Sequence, residues 1–257
     1  MPEEGRYASV NGLKMYYEAH GDGNPLLLLH GGAASIEIWG AQIPVFAREF
    51  KVIAPEQMGH GRTADVPERD FHYHDMAEDT VGLMDQLGIA DAFIVGWSDG
   101  GIVGLDIAMH HPERVRKLVC SGANARVDGT EPESLAWLQN TPPAEWPKSF
   151  RDAYARLSPD GPNHWPVVLG RIVRMFVSEP NFTSEHLGSI RAPTLLIAGD
   201  HDMVRLEHAV EMFRLIPGAQ LCVFPHAGHG VPMAKPDLWN ATVLSFLKEA
   251  AVPIAAD

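Results

Sequence analysis

Cysteine is nearly absent, with two in 257 residues, Cys120 and Cys222, each inside an apolar strand-like run. That scarcity excludes a disulfide scaffold and predicts buried, reduced thiols. Positive charge is also in short supply: 20 Lys and Arg stand against 33 Asp and Glu, for a formal net charge of −13. With no basic cluster to hold a polyanion, nucleic acid and anionic membrane surfaces are excluded as partners. The acidity reads first as solubility, and second as steering of a cationic substrate. No run approaches the ~18 apolar residues of a membrane-spanning helix. The start, Met1-Pro2-Glu3-Glu4-Gly5-Arg6, lacks the basic segment and apolar stretch of a secretion signal. The expectation is a cytoplasmic protein, monomeric or a small homo-oligomer. Repeats and low-complexity tracts are missing as well, so no solenoid is implied.

What the chain does contain is alternation. Tyr7 to Val10 and Leu13 to Glu18 read as strands joined by Asn11-Gly12, a hairpin signal. Six further strand runs follow, at Pro25 to Leu29, Val52 to Pro55, Ala92 to Gly96, Lys117 to Ser121, Thr194 to Ala198 and Leu221 to Phe224. Between the second and third of these, Met76, Thr80, Leu83, Met84 and Leu87 recur at helical spacing, with Asp75 and Glu78 in capping-box positions and Gly88 beyond. Trp239, Thr242, Val243, Phe246 and Leu247 repeat that pattern near the end. Strands alternating with helices predict an α/β fold, a mostly parallel, doubly wound sheet of eight strands. Residues 123–191 break the rhythm with Trp137, Trp146, Trp165, Phe150, Tyr154, Met175 and Phe176 among eight prolines. So long a segment rich in bulky apolar residues is no structureless loop. It predicts a helical cap, leaving 1–122 and 192–257 as the core.

One stretch carries chemistry. Gly96-Trp97-Ser98-Asp99-Gly100 follows the apolar run Ala92-Phe93-Ile94-Val95, the spacing of a nucleophile elbow, where a strand feeds a serine into a strained turn whose flanks must lack side chains. Behind it Ile102, Val103, Leu105, Ile107 and Ala108 build an apolar helix stopped by His111-Pro112. Ser98 thereby sits at a helix N-terminus that favours an oxyanion. Two acids, Asp200 and Asp202, follow a later strand, and two histidines, His226 and His229, follow the last one. The order is Ser, Asp, His.

With these motifs the chain resembles the α/β-hydrolase superfamily from about Val10 to Lys248. Gly96-Trp97-Ser98-Asp99-Gly100-Gly101-Ile102 is most similar to the valacyclovir hydrolase group, also called biphenyl hydrolase-like proteins, and to related bacterial esterases. The resemblance implies that His30-Gly31-Gly32-Ala33-Ala34 is an oxyanion loop and that the cap shapes the acyl and alcohol pockets. It favours His229 over His226, because His229 sits in the family's Gly-His turn, and Asp202 over Asp200, by its count from the strand-end glycine. Asp200 is left to brace the loop. The chain departs from the family at Glu56-Gln57-Met58-Gly59-His60-Gly61-Arg62-Thr63, where the common pattern begins with Asp and ends with Ser. That change bears on the hydrogen bonding of a turn near the site.

The roles follow from chemistry. Ser98 is a nucleophile only when His229 takes its proton, and Asp202 holds the imidazole in one tautomer. The oxyanion donors are the N–H groups of Asp99 and Gly32, with Ala33 as the fallback. A carboxylate at 99 beside the nucleophile either holds the ammonium of an α-amino acyl group, as the resemblance implies, or is bonded to nearby backbone or a basic residue. Candidate substrate contacts are Ala33, Asp99, Trp137 and Trp165, although for any single Trp core packing ranks first. Trp97 is expected beneath the turn. His72-Tyr73-His74-Asp75 and His110-His111 read as helix ends and not as metal ligands. The expected activity is carboxylesterase hydrolysis of small carboxylic esters through a Ser98 acyl-enzyme, without cofactor or metal. Alternatives are carbon–carbon hydrolysis of a ring-cleavage diketone, perhydrolysis, or a non-enzymatic ligand receptor. Haloalkane dehalogenation needs a carboxylate where Ser98 stands.

Overall fold

Alternation along each apolar strand decides the architecture. Leu27 and Leu29 enter one core cluster while Leu26 and Leu28 enter another, all four essentially without solvent contact, so the sheet is covered on both faces. The computed structural model describes residues 5–249; 250–257 and residues 1–4, part of the stretch without a secretion-signal pattern, lie outside the described residues.

The strands are β1 (Arg6–Val10), β2 (Leu13–His20), β3 (Asn24–Leu29), β4 (Phe50–Pro55), β5 (Ala92–Trp97), β6 (Val115–Ser121), β7 (Thr194–Gly199) and β8 (Gln220–Phe224). They form one sheet in the order β1-β2-β4-β3-β5-β6-β7-β8, in which β2 alone runs against the rest. All eight expected strands are present, and several start earlier than their apolar runs. In β6 the ladder begins at Val115 opposite Ala92, because main-chain pairing passes through polar residues such as Arg116 that a hydrophobic pattern does not mark.

The helices are α1 (Ile43–Phe46), α2 (Tyr73–Gln86), α3 (Asp99–His110), α4 (Pro132–Asn140), α5 (Lys148–Leu157), α6 (Trp165–Ser178), α7 (Ser184–Gly188), α8 (Leu206–Leu215), α9 (Val231–Ala234) and α10 (Pro236–Lys248). Met76, Leu83 and Met84 of α2, Ile102 and Leu105 of α3 and Met212 of α8 cover one face; Phe46 of α1 and Trp239, Val243 and Phe246 of α10 cover the other. Burying such faces at roughly 25 cal/mol per Å² is what holds the layers together. No helix of the described residues is long and apolar enough to cross a membrane.

Two expectations need correction. Asp75 and Glu78 do not form a capping box, since α2 already begins at Tyr73 with His72 as its N-cap. The cap comes instead from Glu179, whose Oε2 accepts the Tyr73 N–H at 3.2 Å and whose Oε1 lies 2.5 Å from His72 Nδ1. A carboxylate there also complements the helix dipole. Cys120 is buried as expected, but Cys222 is half-buried because β8 is an edge strand; both thiols are free.

Helices α4 to α7 lie between β6 and β7 in the chain. Trp146 is the hub of their packing, with ring centroids 5.2 Å from Trp137, 6.1 Å from Phe150 and 6.2 Å from Trp165. Charge pairs tie them to the core: Arg171 Nη1 meets buried Asp65 Oδ1 at 2.5 Å, His164 reaches the other oxygen at 2.8 Å, and Arg156 grips Glu37 with both terminal nitrogens.

Candidate active site

Ser98 occupies the turn between β5 and α3 with φ 54° and ψ −122°, a combination that L side chains seldom adopt and that costs of order 1–3 kcal/mol. The turn is tight enough to forbid side chains on either flank. A Cβ at Gly96 falls 2.1 Å from the Gly100 carbonyl oxygen, and one at Gly100 falls 2.1 Å from that of Leu29. The Ser98 N–H donates to the Ser121 carbonyl at 2.8 Å, which locks the elbow to β6.

The structure brings Ser98, His229 and Asp202 into one line. His229 Nε2 is 2.9 Å from Ser98 Oγ, and His229 Nδ1 is 2.7 Å from Asp202 Oδ1. Burial pushes the Asp202 carboxyl up, but the hydrogen bond and charge of His229, with the N–H groups of Val204 and Gly199, outweigh it and leave it below the ordinary carboxylate range. Asp202 therefore stays ionised at neutral pH. The rivals lie elsewhere. His226 is exposed, and Asp200 accepts the N–H groups of His226 and Ala227 at 2.9 and 3.0 Å, bracing the loop that carries His229. Trp97, expected merely to pack beneath the turn, also anchors that loop, because its indole N–H donates to the His229 carbonyl at 2.8 Å.

Beside the elbow the His30–Ala34 loop is fixed by two buried histidines whose bracing role no sequence pattern marks. His60 Nδ1 donates to the Met58 carbonyl at 2.8 Å, and its Nε2 accepts the Ala33 N–H at 2.9 Å. His30 Nδ1 donates to the Gly31 carbonyl at 2.8 Å, and its Nε2 accepts the Gln57 N–H at 3.1 Å. Burial lowers His30 to about 4 and His60 to about 3, so both stay neutral and able to accept. One consequence corrects the fallback donor: the Ala33 N–H is already committed to His60. The N–H groups of Gly32 and Asp99 bond to no backbone group or other side chain among the described residues, and the Asp99 carboxylate is the acceptor beside them. The departure at Glu56 is also resolved, since its buried carboxylate accepts from Ile36 N, Arg62 N and Arg62 Nη1 and so closes the turn.

Ser98 opens into a cavity of about 440 Å³, ample for a small ligand. Trp137, Leu138, Trp146, Phe150 and Phe176 supply apolar wall; Asp99, Glu133 and Glu179 supply carboxylates; no Lys or Arg among the described residues lines it. The two other expected contacts do not reach it. Ala33 does not line it and directs its N–H to His60, and Trp165 is buried against Trp146 and Tyr154 with its indole N–H on the Pro143 carbonyl at 3.0 Å. Trp165 is bulky and opens α6 among its neighbours, so helix-to-helix packing claims it, whereas Trp137 is 45% exposed and lines the cavity.

Asp99 is the unusual group. Its Oδ1 accepts the Tyr73 hydroxyl at 3.2 Å, while its Oδ2 is buried without a partner and faces Gly32 so closely that a Cβ there would lie 2.4 Å away. Burial raises its pKa to about 7, against the pull of Tyr73, His229 and the N–H groups of Asp99 and Gly32. Tyr73, itself buried and held well above its ordinary value, remains a donor. Neither Tyr73 nor Glu179 could be found from the sequence, because neither sits in a strand-end motif of the kind that marks Asp202 and His229.

Comparison with known proteins gives the same fold. A family profile described as alpha/beta hydrolase fold matches residues 24–155. RutD of Azorhizobium caulinodans, whose name proposes a carbamate hydrolase, is 30% identical over 95% of this chain and 98% of its own. The human serine hydrolase BPHL is 29% identical over 93% of this chain and 85% of its own. Among solved structures, a mutant of the meta-cleavage product hydrolase from Pseudomonas fluorescens IP01 superposes with a TM-score of 0.80 at 26% identity, covering 95% of this chain and 97% of that one. With the profile spanning half of the sequence and the relatives nearly all of it, the chain belongs to the alpha/beta hydrolase fold family and is a hydrolase.

Proposed function

We propose that this hydrolase is a carboxylesterase-type serine hydrolase acting on small carboxylic esters whose acyl part carries an ammonium group. Ser98 attacks the ester carbonyl as His229 takes its proton; the N–H groups of Asp99 and Gly32 receive the oxyanion; His229 then protonates the leaving alkoxide. Water, deprotonated by the same imidazole, releases the acid from Ser98. Asp202 holds the ring with Nε2 toward Ser98 and stabilises the imidazolium. The segment 123–191 acts as the cap, with Trp137 on the substrate side. The reaction needs no cofactor.

The observation that carries the substrate class is Asp99 Oδ2, a buried carboxylate oxygen with no partner at the mouth of the nucleophile. A negative charge there opposes an oxyanion in the next hydrogen-bond shell. It has to be neutralised by a proton or a cation, and an α-ammonium on the substrate supplies the cation at the required place. Glu133 and Glu179 add to the same field. A ring-cleavage diketone bearing a carboxylate meets an acidic cavity that offers it no Lys or Arg among the described residues, which ranks carbon–carbon hydrolysis behind ester cleavage here.

The test compares α-aminoacyl esters with their des-amino counterparts on the parent, Ser98→Ala and Asp99→Asn. The expected results are a loss of ~10⁴-fold or more in Ser98→Ala, and a parent preference for the aminoacyl ester that falls ~100-fold in Asp99→Asn, in line with a desolvated charge pair. Activity surviving in Ser98→Ala overturns the mechanism. Equal losses on both ester classes in Asp99→Asn overturn the substrate class, and a parent inert on every ester moves the weight to carbon–carbon hydrolysis or a receptor.

A further inference from the structure

We propose that His74, Asp106 and His110 form a binding site for a divalent cation of the zinc class, clamping α2 to α3. The side chains come from two helices. Asp106 and His110 are four apart on α3 and share a face, while His74 projects from the first turn of α2. The site lies about 12–18 Å along α3 from Ser98 at 1.5 Å per residue, so it is separate from the catalytic centre.

Three observations support it. The geometry is that of a coordination shell. His74 Nδ1 and His110 Nδ1 lie 2.9 and 3.1 Å from the same oxygen, Asp106 Oδ1. Ligands bound at about 2.0–2.1 Å stand about 2.8–3.0 Å apart at octahedral angles and about 3.3–3.4 Å apart at tetrahedral ones. All three donor atoms fall within 4.8 Å of one another, and rotation of the exposed rings closes the remaining edge. The carboxylate is also committed: Asp106 is 3% exposed in its side chain and has no Lys or Arg partner among the described residues, so the two imidazoles are its only side-chain company. Finally, further carboxylates stand near His74: Asp75, 3.9 Å from Arg69, and Glu78, 2.6 Å from His111, both on α2. Two imidazoles and one carboxylate suit zinc and its neighbours better than calcium or magnesium, which prefer oxygen. Since both histidines are half exposed, water completes the shell. Two half-exposed hydrogen bonds would be a weak clamp by themselves; a shared ion makes them one rigid joint between α2, whose Tyr73 supports Asp99, and α3, whose first turn carries the elbow.

Untagged full-length protein is titrated with Zn2+ by calorimetry and with Co2+ by visible absorbance, and melted with and without Zn2+. The expected result is one equivalent bound, a Co2+ d–d band, and a Tm that rises with Zn2+ concentration. His74→Ala and His110→Ala, both at half-exposed positions and checked for folding by metal-free melting, each weaken binding at least ~10- to 100-fold, the range that even outer-shell partners cost. His20→Ala, whose imidazole pairs with Glu18, leaves it unchanged. A parent that binds no equivalent overturns the proposal, as does one whose affinity survives both substitutions.

Discussion

Asp99→Asn should make the protein more stable at high pH and not at low pH, at the expense of the chemistry proposed for the site. The folded chain holds Asp99 at about 7 against an ordinary 3.8, chiefly because burial penalises its charge. Between those values the carboxyl is ionised in the unfolded chain and still protonated in the folded one. The unfolded state therefore binds fewer protons, and stability falls as pH rises, levelling off above the folded pKa. Each pH unit across that window is worth about 1.4 kcal/mol, so the parent loses about 3 kcal/mol on this group between pH 5 and pH 8. Asparagine keeps an acceptor for the Tyr73 hydroxyl and cannot ionise. Any cost of burying its amide is the same at every pH and drops out of the comparison. Glu56, also raised to about 7 by burial, is common to both proteins and cancels. Urea unfolding of parent and variant at pH 5 and pH 8 reads the result. The stability difference, variant minus parent, should rise by about 3 kcal/mol over that interval. A pH-independent difference, or one that moves the other way, refutes the claim that Asp99 is an uncompensated buried carboxylate, and with it the argument for a cationic acyl group.

Two further outcomes test the scaffold around the site. His60→Leu removes the acceptor of the buried Ala33 N–H and should cost about 1–3 kcal/mol in urea melts; by freeing the Gly32 segment it should lower kcat more than it raises KM, and an unchanged kcat would show that the loop is held by something else. Arg171→Met leaves Asp65 buried with His164 alone and should destabilise by about 3–5 kcal/mol, whereas a loss below about 0.5 kcal/mol would mean that the insertion is docked by its apolar contacts and not by this pair.

Much of the architecture was legible because it is written in short-range patterns. The Leu26–Leu29 run, the Asn11-Gly12 turn and the helical spacing from Met76 to Leu87 each restrict the backbone through neighbours within a few residues, and each produced the expected element. The elbow is of the same kind, since Gly96 and Gly100 answer clashes that arise within and beside one turn. The capping of α2 was misread for the opposite reason. Asp75 and Glu78 have the right local spacing, yet the group that satisfies the Tyr73 N–H comes from Glu179, 106 residues away. His72-Tyr73-His74-Asp75 and His110-His111 are the helix ends expected from their sequence, but only the packing of α2 on α3 sets His74 and His110 around Asp106.

The sequence by itself determined the layered sheet, the order of serine, acid and histidine, and an apolar insertion too bulky to be a loop. Periodicity, glycine sterics and strand runs act over a handful of residues and need no partner from afar. The tertiary structure alone decided which side chains share a volume: that Trp137 faces the cavity while Trp165 packs inside the insertion, that His60 and not solvent takes the Ala33 N–H, and that Asp99 is left with one oxygen unpartnered beside Ser98. Those facts depend on which distant segments meet when both faces of the sheet are buried, and burial is what turns an ordinary carboxylate or imidazole into a group with a specific charge state.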